Sequence, residues 1–397
     1  MLDIACKDVG QAGMNVTYFA NDLADAAIAR RVHMLQVGGA SVTLIGFRRT
    51  NQPIRQVSGA HVIDLGRTFD ARFLNRTGKI LRRLLEAGRW KNLVARSDVL
   101  LARNLEMALV ADFARLWAGS SVRLVYECLD IHGLLLGGGI SSASLRWWER
   151  RLLRRSAALI VSSPGFLTNY FERLGVRLPT VVVSENKRMD VAADAQRPVP
   201  HLSRNHAPWR VGWFGNIRCV RSFEILKGLA RRNPDLIDVE LRGRPTGELQ
   251  ALIAENLPFA NMRFSGPYAP SELASIYEAC DLAWAIDFMQ HGQNSDWLLP
   301  NRIYEGSFYN CPPIALTGTE TARWLDDRAA GVILQNPDEA LEAFITTLTS
   351  ARYAELKHAV SAIPTTDLVH TVEECRRFAN LLAGRQGGAR VEIGERT

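Results

Sequence analysis

Short apolar runs alternate with helical patterns through the first half of the chain. The strand-like runs lie at 16–20, 41–47, 61–65, 98–103, 123–127 and 158–162. Between the first two runs, the spacing predicts a helix from Ile28 to Val37 that ends at Gly38 and Gly39. Continuous apolar strands separated by helices are typical of a parallel sheet covered on both faces.

This alternation is interrupted once and then resumes. Residues 185–208 are polar, contain prolines and lack periodicity, which is typical of a linker. A second series of apolar runs follows, at 209–215, 239–243, 262–266, 282–286 and 313–316. The pattern therefore predicts an α/β protein with two doubly wound, Rossmann-like domains, at 14–184 and 209–365, that face each other across a cleft.

The two ends of the chain differ from the rest. Met14 directly precedes the first predicted strand, which makes it an alternative start, and the residues before it lack the regions of a signal peptide. A helical pattern runs over 338–383. Because the tail at 384–397 is polar and rich in glycine, we expect it to be disordered.

Composition narrows the function classes. The chain has 397 residues, which is enough for two cores, and no apolar run approaches the ~20 residues that span a bilayer. Its six cysteines are scattered without a Cys-x-x-Cys pair, so the pattern favours reduced thiols in the cytoplasm over a disulfide framework or a zinc site. Histidines are also scattered and no Asp-x-Asp pair occurs, so we expect a mechanism without a metal.

The net charge of +7 is concentrated in two segments of the first domain. Residues 67–96 and 142–155 carry many arginines interleaved with leucine, phenylalanine and tryptophan. A basic amphipathic helix of this kind can lie on an anionic membrane surface; the alternative is a core-facing helix with a solvated basic side. No nucleic-acid-binding module accompanies the charge, so we expect no nucleic-acid partner.

One segment of the second domain combines a helix start with a carboxylate. It reads Leu-Pro-Asn-Arg-Ile-Tyr-Glu-Gly over 299–306, and an apolar strand follows the breaker at 310–313. The pattern predicts a short helix opened by Pro300, with Glu305 one turn in, where free backbone N–H groups favour anions. Glu305 could accept both ribose hydroxyls of a nucleotide, or it could simply complement the helix dipole.

These residues resemble the donor-binding segment of GT-B glycosyltransferases, particularly bacterial exopolysaccharide transferases of the succinoglycan type. The resemblance implies that Asn301, Arg302 and Glu305 line a nucleotide-sugar site. It also implies that the last helix, at 366–383, crosses back to the first domain. Many relatives carry a second glutamate eight positions before the first, where this chain has Trp297.

Two further loops of the second domain are candidate donor contacts. Gly215, Asn216 and Arg218 follow its first strand and precede a helix, where a close backbone approach and a cation would suit a diphosphate. A plain strand–helix turn is the alternative, and no Gly-x-Gly-x-x-Gly fingerprint occurs. The resemblance places the diphosphate at this turn and the nucleotide base near Tyr268, which stacks or merely packs.

A fixed cation facing the departing nucleoside diphosphate lowers the barrier to transfer. Many relatives have such a residue near the end of the next strand, where this chain has Arg244. Arg244 is therefore our first candidate, and Arg218 and Arg302 are its rivals. The alternative for Arg244 is a solvated surface arginine.

The acceptor side is expected in the first domain. Asp130 follows a predicted strand, and a carboxylate there could take the proton of an acceptor hydroxyl. His132 and Glu127 are alternatives for this base, and a loop-capping role for Asp130 is a further one. Asn21 and Asn104 follow other strands of the same sheet and are either cleft residues or turn residues.

The resemblance implies a reaction as well as a fold. We expect transfer of a hexose, glucose in the first instance, from a nucleotide sugar such as UDP-glucose to a lipid-linked oligosaccharide, without a cofactor. GT-B enzymes either invert or retain the anomeric configuration, and the resemblance to succinoglycan-type transferases, which form β-linkages from UDP-glucose, favours inversion. The enzyme would be peripheral on the inner face of the cell membrane. The alternative is a nucleotide-sugar 2-epimerase, which shares the architecture but needs neither an acceptor nor a membrane surface.

Overall fold

The computed structural model describes residues 13–68, 86–189, 197–199, 206–259, 261–385 and 390–393. The strands within these ranges are β1 Met14–Ala20, β2 Ala40–Arg48, β3 Gln56–Val57, β4 Ala60–Arg67, β5 Val99–Arg103, β6 Arg123–Cys128, β7 Ala158–Val161, β8 Thr180–Val183, β9 Trp209–Ile217, β10 Ile237–Pro245, β11 Met262–Phe264, β12 Leu282–Trp284, β13 Pro313–Leu316, β14 Val332–Leu334 and β15 Arg390–Glu392.

Helices connect most of these strands. The α-helices are α1 Ala26–Val37, α2 Lys91–Ala95, α3 Asn104–Trp117, α4 Gly133–Leu136, α5 Ile140–Leu153, α6 Pro164–Phe166, α7 Val220–Arg232, α8 Gly247–Asn256, α9 Leu273–Glu278, α10 Asn294–Trp297, α11 Asn301–Phe308, α12 Glu320–Asp326, α13 Pro337–Thr347, α14 Ser350–Ser361, α15 Thr365–Leu368 and α16 Val372–Leu382. Short 3₁₀ or π turns lie at Ala87–Trp90, Leu167–Phe171, Glu172–Leu174 and Pro270–Glu272.

The strands form two sheets, as the alternating pattern predicts. In the described residues, the first sheet has the order β15-β8-β7-β6-β5-β1-β2-β4-β3, and the second has the order β11-β10-β9-β12-β13-β14. All neighbours are parallel except β3 and β4. The strand order reverses between β1 and β5 in the first sheet and between β9 and β12 in the second. Ligands bind doubly wound sheets in the crevice outside such reversal points.

Each sheet is buried because helices cover both of its faces. In the first domain, Phe19 and Tyr126 belong to the cluster on one face, and Tyr18 and Phe378 belong to the cluster on the other. Phe378 comes from α16, near the end of the chain, so this helix lies against the first domain. The second domain has its own core, in which Trp213 is almost completely buried.

Close contact between α1 and α16 holds the end of the chain on the first domain. A Cβ atom at Gly38 would lie 2.5 Å from the carbonyl oxygen of Cys375 and 2.9 Å from the Cβ of Ala379. The Arg31 guanidinium lies over the Phe378 ring, 4.5 Å from its centroid. Only a residue without a side chain fits at Gly38 unless one helix moves.

The expectation of a disordered tail is wrong for residues 390–393. Residues 390–392 form β15, which pairs in parallel with β8 at the edge of the first sheet. The backbone N–H of Ile393 donates to Val183 O at 2.9 Å, and the Ile393 side chain is buried. A free sheet edge offers unpaired backbone groups. Tertiary pairing therefore orders a segment whose surrounding composition indicated disorder.

The two basic segments differ in how much of them can be described. Residues 69–85, in the first segment, lie outside the described ranges. At its end, Trp90 is buried with its ring centroid 6.0 Å from that of Phe19. This part therefore follows the core-facing alternative. In the second segment, α5 buries Glu149 and Leu152 and exposes Trp147 and Trp148.

Candidate functional site

The carboxyl ends of the two sheets meet across a cleft, where hydrogen bonds join the domains. The Asn294 amide donates to Asp130, and Ser163 Oγ donates to the backbone carbonyl of Trp297. Near the linker, Tyr304 Oη donates to Glu185 Oε2 at 2.8 Å. Asp130 and Asn294 therefore face each other across this cleft.

Glu305 lies on α11, one turn after the helix begins. Pro300 caps the helix from outside, the helix begins at Asn301, and no acidic residue occupies its first turn. Glu305 is half-buried, and Tyr277 Oη donates to its Oε2 at 3.2 Å. The carboxylate is therefore held by a buried tyrosine and not by free N–H groups at the helix start, which contradicts the dipole argument.

Arg30 of α1 approaches Glu305 from the opposite domain, and sequence reasoning missed it. Burial lowers the pKa of the Arg30 guanidinium, and the negative charge of Glu305 is the main influence that opposes the change. Its Nη2 atom is buried and has no hydrogen-bond partner in the described residues. The sequence signal was weak, because Arg30 and Arg31 adjoin on a helix and only the fold shows which one faces the cleft.

Tyr268 and Gly215 lie near the same corner of the cleft. Burial, followed by the charge of Glu305, raises the pKa of Tyr268 to about 12. A Cβ atom at Gly215 would lie 3.9 Å from the Tyr268 hydroxyl. The structure thus brings together Tyr268, Gly215 and Glu305, which the sequence places far apart.

The predicted diphosphate turn begins inside a strand. Gly215 and Asn216 belong to the end of β9, and Gly215 has a φ of 99°. Its neighbour in β10, Gly243, has a φ of 144°, and a Cβ there would lie 1.8 Å from Gly215 O. Both glycines are required by this close approach and by the backbone conformation. On its other side, a Cβ at Gly215 would meet only the Tyr268 hydroxyl within 4 Å, so the backbone there is open to the cleft.

Arg244 is adjacent to this backbone. It pairs in register with Asn216, and its side chain is exposed with no ion pair among the described residues. Arg244 therefore retains both interpretations, a cation for a diphosphate or a solvated surface residue.

Arg218 forms an ion pair with Asp287, and Arg302 lies close enough to feel the charge of the same carboxylate. The Nε and Nη2 atoms of Arg218 donate to Asp287 Oδ2 at 2.9 and 2.7 Å. Arg302 Nη1 donates to the carbonyl oxygen of Trp284 at 3.0 Å, which ties α11 to β12. Burial lowers the pKa of Arg302, and Asp287 opposes the change. Arg218 and Arg302 therefore form the positively charged part of this end of the cleft.

Asp130 lies at the other side of this positive region. Although the residue is exposed to the cleft, the surrounding protein partly desolvates its carboxylate and raises its pKa. The charge of Arg218 and the hydrogen bond from Asn294 oppose that rise. A carboxylate with an elevated pKa in a cleft is suited to accept a proton.

Of the two alternatives for the base, the structure leaves His132 possible and excludes Glu127. His132 caps α4, and its Nδ1 accepts the N–H of Leu134 at 3.3 Å, so in the neutral ring the proton is on Nε2. Glu127 is wrong as a candidate, because it is fully buried between Arg31 and Arg103. Burial alone would raise its pKa, but the two arginines hold that pKa at about 2.

The asparagines after β1 and β5 lie at the reversal point of the first sheet. Asn104 adopts a φ of 66°, and the Oδ1 atom of Asn21 is buried without a hydrogen-bond partner among the described residues. Asp22 forms an ion pair with Arg49 at 3.1 Å. No cluster of His, Cys, Asp or Glu side chains in the described ranges is arranged to hold a metal ion.

Comparison with known proteins identifies the family. A model described as a glycosyl transferase 4-like domain matches residues 24–187. Over 379 residues, the chain is 40% identical to succinoglycan biosynthesis protein ExoL of Rhizobium meliloti (strain 1021), and the match covers 93% of each chain. The chain belongs to the glycosyltransferase 4-like family.

Solved structures show the GT-B fold of this glycosyltransferase. The chain superposes on sucrose-phosphate synthase from Thermosynechococcus elongatus with a TM-score of 0.66 and 13% identity, and the match covers 94% of this chain and 98% of the other. HepE of Anabaena, solved with UDP-glucose, gives a TM-score of 0.66 at 15% identity and covers 94% and 100%. A protein described as a UDP-N-acetylglucosamine 2-epimerase from Listeria monocytogenes gives 0.56 at 12% identity, covering 88% and 92%. At such identities, each likeness concerns the fold alone.

Proposed function

We propose that this glycosyltransferase moves glucose from UDP-glucose to a lipid-linked saccharide in the biosynthesis of a bacterial exopolysaccharide. The relative that is 40% identical along nearly the whole chain is named for succinoglycan biosynthesis. HepE, which has the same fold, was solved with UDP-glucose. The 2-epimerase alternative is favoured by no observation beyond a shared fold.

The observation that carries the proposal is the corner formed by Glu305, Tyr277 and Tyr268. Tyr277 donates to one oxygen of Glu305. The other oxygen, together with the cleft-facing edge of the carboxylate, is available to accept ribose hydroxyls. The open backbone at Gly215 lies next to Tyr268, where a diphosphate would follow the ribose. Arg244 and Arg218 supply positive charge on the same side of the cleft.

The chemistry we propose is a single displacement with inversion. Asp130 takes the proton of the acceptor hydroxyl as the acceptor oxygen attacks the anomeric carbon. The bond from that carbon to the diphosphate oxygen breaks, and UDP leaves with both electrons of the bond. Arg244, or Arg218 released from Asp287, would stabilise the charge that develops on UDP. His132 is the alternative base, through a change of tautomer.

We also propose that the enzyme attaches to the inner face of the cell membrane through α3 and α5. The exposed fractions of Leu116, Trp117, Trp147 and Trp148 are 53%, 62%, 51% and 37%. Arg151 and Arg155 of this region line a groove together with Leu116 and Trp148, and positive charge favours an anionic lipid surface. No described helix is both long and apolar enough to cross a bilayer.

Membrane attachment is consistent with the place of the first basic segment. A Cβ atom at Gly88, near the end of that segment, would lie 3.8 Å from the Trp117 ring. The end of the segment therefore adjoins α3, one of the two helices of the proposed membrane surface.

The reaction is tested by measuring release of nucleoside diphosphate from a panel of nucleotide sugars, with and without a lipid extract that contains the acceptor. We expect UDP release from UDP-glucose to depend on the lipid extract, and a β-linked product. Asp130→Asn should lower turnover by ~10²–10⁴ and leave donor binding intact, because it keeps the shape but cannot take the proton. Lipid-independent conversion of the sugar, or an α-linked product, would contradict the proposal.

A further inference from the structure

Asn294 is the second-domain residue that touches the candidate base. It begins α10, and its side chain is 1% exposed. Its Nδ2 group donates to Asp130 Oδ1, while its own Oδ1 accepts the N–H of Ile131 at 3.1 Å. Both polar ends of this side chain are therefore used on the opposite domain.

The loop that carries Asn294 is fixed by its own side chains. Ser295 Oγ accepts the N–H of Gln290 at 3.0 Å, and Asp296 Oδ2 accepts the N–H of Gly292 at 2.8 Å. At the start of the loop, Asp287 holds Arg218. One rigid segment of the donor-binding domain thus contacts both the candidate base and a candidate phosphate ligand.

Asn294 differs from the other groups that face Asp130. Arg218 and His132 act on the carboxylate as positive or potentially positive charges, and Asp287 acts as a negative one. Asn294 is neutral, but its donated hydrogen bond favours the ionised carboxylate and occupies one particular oxygen. The second oxygen, Oδ2, has no hydrogen-bond partner among the described residues. It is the oxygen left for an acceptor hydroxyl.

We propose that Asn294 is a positioning residue, which turns Oδ2 of Asp130 toward the acceptor and keeps the carboxylate ionised when the two domains are together. This proposal rests on the proposed role of Asp130 as general base. It explains why the buried amide of Asn294, in the donor domain, makes hydrogen bonds through both its Nδ2 and its Oδ1 to the loop that carries the base. Sugar transfer would then be efficient only when the donor domain is in place.

Asn294→Asp is the decisive variant, because it keeps the shape and the acceptor for Ile131 but replaces the donor to Asp130 by a second carboxylate. We expect the acid limb of the kcat–pH profile to move to higher pH by about one unit or more, since a like charge disfavours ionisation of Asp130. At pH values on that limb, turnover should fall by roughly tenfold for each unit of the shift, because a smaller fraction of the base is ionised. The donor KM should stay within about twofold, because the variant removes no donor contact.

Ser163→Ala is the matched control, since it also removes a hydrogen bond between the domains without touching Asp130. It should leave the acid limb in place. If Asn294→Asp does not fold, Asn294→Ala gives a second measurement, with an upward shift of the acid limb expected. An unchanged acid limb in the folded variant, while Asp130→Asn is inactive, would overturn the role of Asn294 alone. Near-normal turnover of Asp130→Asn would instead overturn the base, and the proposed mechanism with it.

Discussion

At the scale of single residues, the carboxylate of Glu305 shows how a motif acquires its geometry. The sequence indicates a carboxylate near a helix start. In the structure, Glu305 lies in the second turn of α11, accepts a hydrogen bond from Tyr277 and faces Arg30. A half-buried carboxylate that already has one fixed donor is preorganised for two hydroxyl groups.

Replacing Glu305 by alanine should weaken UDP-glucose binding by about 1.5–3 kcal/mol, the range for charge-assisted hydrogen bonds lost from a partly buried site. Isothermal titration calorimetry on the folded variant measures this loss. Glu278→Ala removes an exposed glutamate of the same domain and serves as the control. Wild-type affinity in Glu305→Ala would count decisively against a ribose contact.

At the scale of secondary-structure elements, α5 serves two environments at once. Its outer side exposes Trp147 and Trp148, and its inner side buries Glu149 between two tyrosines. Tyr126 Oη donates to Glu149 Oε1 at 2.8 Å, and Tyr170 Oη donates to Oε2. The outer side predicts a lipid interaction, and the inner side predicts a dependence of stability on pH.

The lipid prediction concerns the outer side. Replacing the exposed Arg151 and Arg154 by glutamine should weaken binding to anionic vesicles by about 1 kcal/mol per residue at low salt, and added salt should weaken the wild type in the same direction. Vesicle flotation with anionic and neutral lipids measures this. Arg352→Gln on α14 is the control. If the fraction of protein that floats with vesicles depends neither on lipid charge nor on these substitutions, the membrane proposal is refuted.

The pH prediction concerns Glu149. Burial raises its pKa to about 7, against hydrogen bonds from Tyr170 and Tyr126 that lower it. The folded pKa is above the unfolded one, so the carboxyl is protonated in both states below about pH 4.5 and stability is then highest. Between about pH 4.5 and 7, the carboxyl ionises in the unfolded state but stays protonated in the folded state, so wild type should lose roughly 1–3 kcal/mol relative to Glu149→Gln over that range. Denaturant unfolding of both proteins from pH 4.5 to 8 tests this, and a constant difference would contradict it.

At the scale of the whole molecule, α16 packs tightly against α1 and so stabilises the first domain. Gly38→Ala would place a methyl group against Cys375 O and the Ala379 side chain. Because overpacking at a tight contact costs about 1–3 kcal/mol, we expect a loss of stability in that range. Thermal unfolding measures it, with Gly247→Ala as the control, since a Cβ there meets no atom within 4 Å. Equal melting temperatures of the two variants would show that α1 and α16 adjust freely.

The sequence by itself determined the fold class, the two parallel sheets and the segment that contains Glu305. Apolar runs and the breaker residues between them are local features, so a strand that is buried on both faces can be predicted from its own sequence. Only the tertiary structure decided that Arg30 faces the cleft, that Glu127 is a buried ion-pair partner, and that Asn294 reaches across to Asp130. It also decided that Arg390–Glu392 completes a sheet edge. These are contacts between residues far apart in the chain. Which side chains meet depends on how the elements pack together, and the local spacing of residues carries no information about that packing.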